Sequence, residues 1–118
     1  MTGAELKLLM ASYRFRYSSE AQLQGGIAEF LRQQRIEFRA EVRLSPADRI
    51  DFMLGNLGVE VKINQPLGQV MRQLHRYAQH ADVVELLLIT NRCQHARIPP
   101  SINRKGVEVL FLGWGMLG

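Results

Sequence analysis

The chain has 118 residues, 47% of them hydrophobic, which suits one domain with a single core and leaves no room for a second. Fifteen Lys and Arg against eleven Asp and Glu give a net charge of +4 and a pI near 9.7, a balance that favours polyanionic partners. The lone Cys93 excludes an internal disulfide, and the longest apolar run, Val83 to Ile89, is interrupted by Glu85 and far short of the ~20 residues that span a bilayer. With no apolar signal segment at the start, the expectation is a soluble protein of a reducing cytoplasm with no membrane partner. Twelve of the cations are Arg and three are Lys, and guanidinium is the better bidentate partner for phosphate oxygens, although Arg-rich codon usage would give the same count.

Residues 1–17 hold Tyr13, Arg14, Phe15, Arg16 and Tyr17 without clear periodicity and read as a short helix or an arm. From Ser19 to about Gln34 the spacing predicts a helix, with Ser19 as N-cap, Gln22 as its capping-box partner and Leu23, Ile27, Phe30 and Leu31 as the apolar stripe. Gly25 and Gly26 weaken that helix by about 1 kcal/mol each relative to Ala. Ile36 to Leu44 reads as extended and ends at the turn Ser45-Pro46-Ala47. Arg49 to Leu54, a Gly55-Asn56 turn and Leu57 to Ile63 then read as a hairpin, in which Val59, Val61 and Ile63 alternate with Glu60 and Lys62.

Pro66 opens a second amphipathic helix running to about Gln79, with Val70, Leu74, Tyr77 and Ala78 as its buried stripe. Asp82 to Thr90 is apolar on both faces, as a central strand covered on each side would be. Residues 91–106 read as a polar loop with room for a helical turn, Val107 to Leu112 as a last strand, and 113–118 as a loose tail. The expected architecture is one α/β domain with a mixed sheet flanked by helices, in the order helix, three strands, helix, strand, connection, strand.

Asp51 lies on the first arm of the predicted hairpin and Glu60 on its return, so the two carboxylates can face one point. Lys62, two residues after Glu60, shares its face. Two acids and an amine brought together suit phosphodiester hydrolysis, which needs a hard cation to neutralise developing charge and a positioned water. A solvated amphipathic strand explains Glu60 and Lys62 equally well in isolation, but the apolar Val83–Ile89 run implies layers on both sides of the sheet and so partly enclosed charges.

The ordered set Arg49-Ile50-Asp51-Phe52, Val59-Glu60-Val61-Lys62 and Gln73-Leu74-His75-Arg76-Tyr77 resembles the PD-(D/E)xK nuclease superfamily, in particular its minimal virus-type replication-repair and junction-resolvase-like branch with a Q-x-x-x-Y motif. Ile50 stands where the superfamily's name has Pro. The resemblance covers residues 19 to 112 and implies a restriction-endonuclease-like core. It further implies that Asp51, Glu60 and the Val61 carbonyl bind Mg²⁺ or Mn²⁺, and that Lys62 orients the attacking water or stabilises the charged intermediate. The family also carries an acid on its first helix; Glu20 lies near the apolar stripe whereas Glu29 points away, so Glu20 is the candidate metal ligand, with helix-dipole stabilisation as the competing explanation.

Gln73 is the candidate for touching phosphate or water. Tyr77 is either a brace for the metal-bearing strand or plain core, the second being favoured. Arg72 and Arg76, four apart on the polar face of their helix, together with Arg49, Arg14 and Arg16, are candidate phosphate contacts, with ordinary solubilising surface as the alternative. Cys93-x-His95 is too tightly spaced for common zinc sites, His75 and His80 read as solvated, and no Walker-type loop is present. The expected function is therefore a metal-dependent nuclease acting on DNA, with RNA open, directed by substrate structure or ends. A homodimer fits, in a bacterial or phage-infected cell. The competing class is a catalytically silent nucleic-acid-binding or subunit-interaction module of the same fold.

Overall fold

The computed structural model describes residues 1–113, so the tail expected over 113–118 lies outside the described residues from 114 onward. Thr2 and Glu5 form a reciprocal capping box, Thr2 Oγ1 accepting from Glu5 N at 3.1 Å and Glu5 Oε1 from Thr2 N at 3.0 Å. Two orphan amides are thereby satisfied, and helix α1 runs over Gly3–Ala11. Ser19 caps helix α2, Glu20–Gln33, by accepting from Gln22 N at 3.1 Å. The Gln22 side chain closes on Ser18 instead of Ser19, through the Ser18 N–H at 2.8 Å and hydroxyl at 2.6 Å.

The predicted stripe of Leu23, Ile27, Phe30 and Leu31 is buried. A Cβ at Gly25 would meet no atom within 4 Å. Gly25→Ala is therefore expected to stabilise the protein by about 0.5–1 kcal/mol, raising Tm by a few degrees in a thermal melt.

The strands follow as β1 Arg39–Arg43, β2 Arg49–Leu54 and β3 Leu57–Lys62, then helix α3 Leu67–Tyr77 and strand β4 Glu85–Thr90. A 3-10 turn at Cys93–Arg97 precedes β5 Ser101–Ile102 and β6 Lys105–Phe111. The region read as one loop over 91–106 thus contains both a helical turn and a two-residue strand that folds back on β6. Strand β4 begins three residues later than expected, because residues 82–84 cross over from α3 and tie Val84 N to the Asn56 carbonyl at 2.9 Å.

The six strands form one mixed sheet in the order β1-β2-β3-β4-β6-β5, antiparallel at both edges and parallel across β3, β4 and β6. Strands β2 and β3 are joined by the two-residue Gly55-Asn56 turn, where Gly55 adopts φ +60°, a conformation costly for residues with a Cβ. One face packs on α1 and α2 through Phe52, Val59, Val61, Leu87 and Ile89; the other packs on α3 through Met53, Leu86, Leu88, Val70 and Leu74. The central strands are covered on both sides, as their unbroken apolar runs require. Among the described residues no helix is long and apolar enough to cross a membrane.

The regularity of this sheet fails at one place. Ile50 joins the cluster on the α3 face and Phe52 the cluster on the α1/α2 face, although residues two apart in a regular strand share a face. Directly across from Asp51 on the edge strand, Glu41 adopts φ +51°, a left-handed conformation uncommon for a residue with a side chain. The β2–β3 pairing runs from Leu54↔Leu57 to Phe52↔Val59 and stops there. Strand β2 therefore turns about its axis at Asp51 and parts from β3, opening a gap at the next pair of the register, Asp51 and Glu60.

Candidate active site

The parting of the strands leaves backbone amides without ladder partners, and the two acids take their place. Asp51 N donates to Glu60 Oε1 at 3.1 Å and Val61 N donates to Asp51 Oδ2 at 2.8 Å. Each carboxylate thus bonds to the backbone of the opposite strand. In an extended strand the N–H and C=O of a residue point the same way, so the Val61 carbonyl faces this gap as well.

Both faces of the sheet contribute to holding the pair. From α2, Gln24 Nε2 donates to Asp51 Oδ1 at 3.0 Å. On the α3 side, the Tyr77 hydroxyl lies 2.8 Å from Glu60 Oε2 and 2.9 Å from the Arg49 carbonyl, while accepting from Gln73 Nε2 at 2.7 Å. Lys62 Nζ stands 3.2 Å from Glu60 Oε2 with its side chain 16% exposed. Asp51, Glu60 and Lys62 are therefore together, and Gln73 reaches them through Tyr77 and does not touch either acid.

Burial sets the charge state of this pair. Glu60 is only 2% exposed. Desolvation, and then repulsion from Asp51, push its pKa up to about 8 against the opposing pull of Lys62. Asp51 is also raised, chiefly by desolvation, with Val61 N and Lys62 acting the other way. Near neutral pH the bare pair therefore retains a proton.

The Tyr77 hydroxyl has one proton to donate and two acceptors within reach, Glu60 Oε2 and the Arg49 carbonyl. Removing the hydroxyl in Tyr77→Phe leaves Arg49, Glu60 and Gln73 short of a partner. The expected loss is about 1–3 kcal/mol, measured by chemical denaturation, larger than a buried Tyr to Phe change with no such contacts would give.

Donor chemistry in the gap fits a hard divalent cation: two carboxylates and a carbonyl, all oxygen. Glu20 is not brought into this group. Its Oε1 accepts from Ile63 N at 3.1 Å and Gln65 Nε2 at 3.2 Å, anchoring α2 to the chain just beyond β3. Among the described residues, no three His, Cys, Asp or Glu side chains are gathered as one ligand set.

Of the candidate phosphate contacts, Arg14, Arg16, Arg49 and Arg72 are exposed, and Arg76 is exposed while its Nε is paired with Asp48 Oδ1 at 3.0 Å. Asp48, 7% exposed, also accepts from His80 Nε2 at 3.1 Å, and these partners, His80 foremost, lower its pKa. His80, read as solvated, is instead part of this clamp, which ties the end of α3 to the start of β2.

Sequence reasoning missed three supporting residues. Gln24 lies one turn beyond Glu20, on the same helical face, and the wheel that selected Glu20 would have found it. Asp48 carried no motif signal. His95 was weighed only against zinc, yet it is 1% exposed and bridges Thr90 Oγ1 at 2.6 Å and the Gln65 carbonyl at 2.9 Å. Since that carbonyl can only accept, His95 carries its proton on Nε2, and burial lowers its pKa. Through Gln65 it steadies the contact to Glu20.

A groove of about 230 Å³ between α2 and the β1–β2 edge, floored by Ala21, Gly25, Ala28 and Ala40, opens on Asp51. The larger cleft, about 560 Å³, lies at the far end of β2 near Gly55 and has no acid of the pair in its walls. No known family model, curated protein or solved structure matches this chain.

Proposed function

We propose that this protein is a divalent-cation-dependent phosphodiesterase, a nuclease acting on DNA, with Asp51, Glu60 and Lys62 at its centre. The observation that carries this reading is the meeting of two desolvated carboxylates and an ammonium where two strands part. Desolvating such charges costs stability, and groups perturbed in this way gather at functional sites. Mg²⁺ or Mn²⁺ held by Asp51, Glu60 and the Val61 carbonyl would polarise a phosphoryl oxygen and lower the pKa of a bound water.

The chain's own groups divide the remaining work. Gln24 and Val61 N fix the orientation of the Asp51 carboxylate; Tyr77, with Gln73 behind it, fixes that of Glu60. Outer partners of this kind typically tune affinity by about 10–100-fold. The Lys62 ammonium, next to Glu60, is placed to stabilise the charge that builds on the phosphate oxygens as the new bond forms. The net positive charge draws a polyanionic strand toward the site. Nothing in this arrangement discriminates the sugar hydroxyl, so RNA is included among the substrates to be tested.

The test is incubation of labelled duplex, single-strand, flap and four-way-junction DNA, and an RNA strand, with Mg²⁺, Mn²⁺ or EDTA. Cleavage of at least one substrate in the metal arms and none in EDTA is expected. Intact substrates throughout would leave the silent binding module as the reading of the site.

A further inference from the structure

The acid pair is not the whole of the surface at this end of the sheet. The parallel strands β3, β4 and β6 finish side by side, with Lys62 opposite Thr90 and Thr90 opposite Phe111. Just beyond their ends lies a cavity of about 350 Å³. Tyr17, Phe111 and Leu112 give it apolar walls, and Arg92, Cys93 and Gln94 lie around it. Its size falls within the roughly 300–1,000 Å³ of ordinary ligand pockets.

We propose that this cavity binds one unpaired nucleobase of the nucleic-acid strand whose phosphate lies at Asp51, Glu60 and Lys62. The inference rests on the nuclease reading of the neighbouring site and names the substrate feature that site selects. Three observations converge on it.

Position comes first. Phe111 is two strands from Lys62, roughly 10 Å at ~4.8 Å per strand, a span that a strand covers in two or three nucleotides at ~3.4 Å each. Between site and cavity the ends of β3 and β4 are tied by two hydrogen bonds: Asn64 N donates to Asn91 Oδ1 at 2.9 Å, and Asn91 Nδ2 donates back to Asn64 Oδ1 at 3.0 Å.

Chemistry comes second. Two aromatic side chains, Tyr17 and Phe111, line the cavity and are of the type on which any base stacks, and Arg92 beside them complements the phosphate that must accompany it. A purely apolar ligand would have no use for that cation. Geometry comes third. A base can sit among such walls only when it is free of its helical neighbours, so a paired base within a duplex is excluded.

The native chain carries its own reporter, because Cys93 is exposed, borders the cavity and is the sole cysteine. The reaction of Cys93 with N-ethylmaleimide is timed in EDTA, where no cleavage occurs, with and without a ten-nucleotide oligothymidylate. Slowing of about fivefold or more is expected with the single strand, and less than about twofold with a blunt hairpin duplex or an abasic strand of equal charge. In Tyr17→Leu, which keeps apolar contact without the ring, the protection is expected to vanish while the melting curve stays cooperative.

An unchanged rate with the single strand would overturn the proposal, as would equal protection by the duplex or the abasic strand. Protection without metal-dependent cleavage would retain the cavity and discard the nuclease reading. Cleavage without protection would do the reverse.

Discussion

Asp51→Asn is expected to reduce metal-dependent cleavage by about 10³-fold or more, and Lys62→Ala by about 10²–10³-fold, in single-turnover assays on whichever substrate the wild type cuts best. The two losses have different origins. Asp51→Asn removes one of the two charges that hold the cation, so raising the Mn²⁺ concentration is expected to restore part of the rate. Lys62→Ala leaves both carboxylates and removes the nearby ammonium, so excess metal is not expected to help.

Stability separates these effects from misfolding. Asp51 and Glu60 repel each other in a desolvated gap, so Asp51→Asn is expected to melt no lower than wild type. The asparagine keeps an acceptor for Val61 N, and its amide NH2 takes the place of the oxygen that accepts from Gln24, whose own amide can turn to present its oxygen. Equal cleavage by wild type and both variants would remove the chemistry from this cluster. A loss accompanied by a collapsed melting curve would show instead that Asp51 supports the strand.

The sequence made the helices and strands legible where burial is periodic. Leu23, Ile27, Phe30 and Leu31 mark one side of α2, and Val70, Leu74 and Tyr77 one side of α3, because a helix in contact with a sheet must repeat its apolar residues at its own turn. The pairing of β2 with β3 was legible from Gly55-Asn56 and the alternation after it. Strand β5 was not, since two residues, Ser101 and Ile102, carry no period and are held by their neighbours in β6.

The acids and the amine could be read from spacing, but the way they meet could not. It depends on a turn of β2 at Asp51 that sends Ile50 and Phe52 to opposite faces, and on the left-handed Glu41 across from it. Both arise from tertiary packing. The supporting bonds from Gln24, Tyr77 and His95 link residues 17 to 30 positions apart, in elements whose relative placement no local pattern encodes. Tyr77 shows the cost of choosing between core and site: it is 0% exposed and also bonded to Glu60.

The buried pair also dictates how stability responds to pH. Burial, and then Asp51, push Glu60 up to about 8 in the folded chain against 4.5 for a solvated glutamate, so between these values the folded state binds more protons than the unfolded. Stability from this group is fully present below about pH 4.5 and declines as pH rises to about 8; the raised Asp51 acts in the same direction. His95 opposes it, being held neutral when folded and so losing stability as pH falls below 6.5. Asp48, lowered by its partners, matters only in acid, below about 3.8.

The measurement that isolates Glu60 is the melting temperature of wild type against Glu60→Gln in EDTA. The glutamine amide carries no charge to desolvate at any pH, so the variant is expected to gain on wild type from pH 5 to pH 8, by on the order of 10 °C. Mn²⁺ competes with the pair's proton for the same oxygens. It is therefore expected to raise the wild-type Tm more at pH 8 than at pH 5, and to leave Glu60→Gln much less affected at either. Parallel curves for the two proteins in EDTA would mean that Glu60 is ionised across the whole range, and the gap between β2 and β3 would then be far wetter than its burial implies.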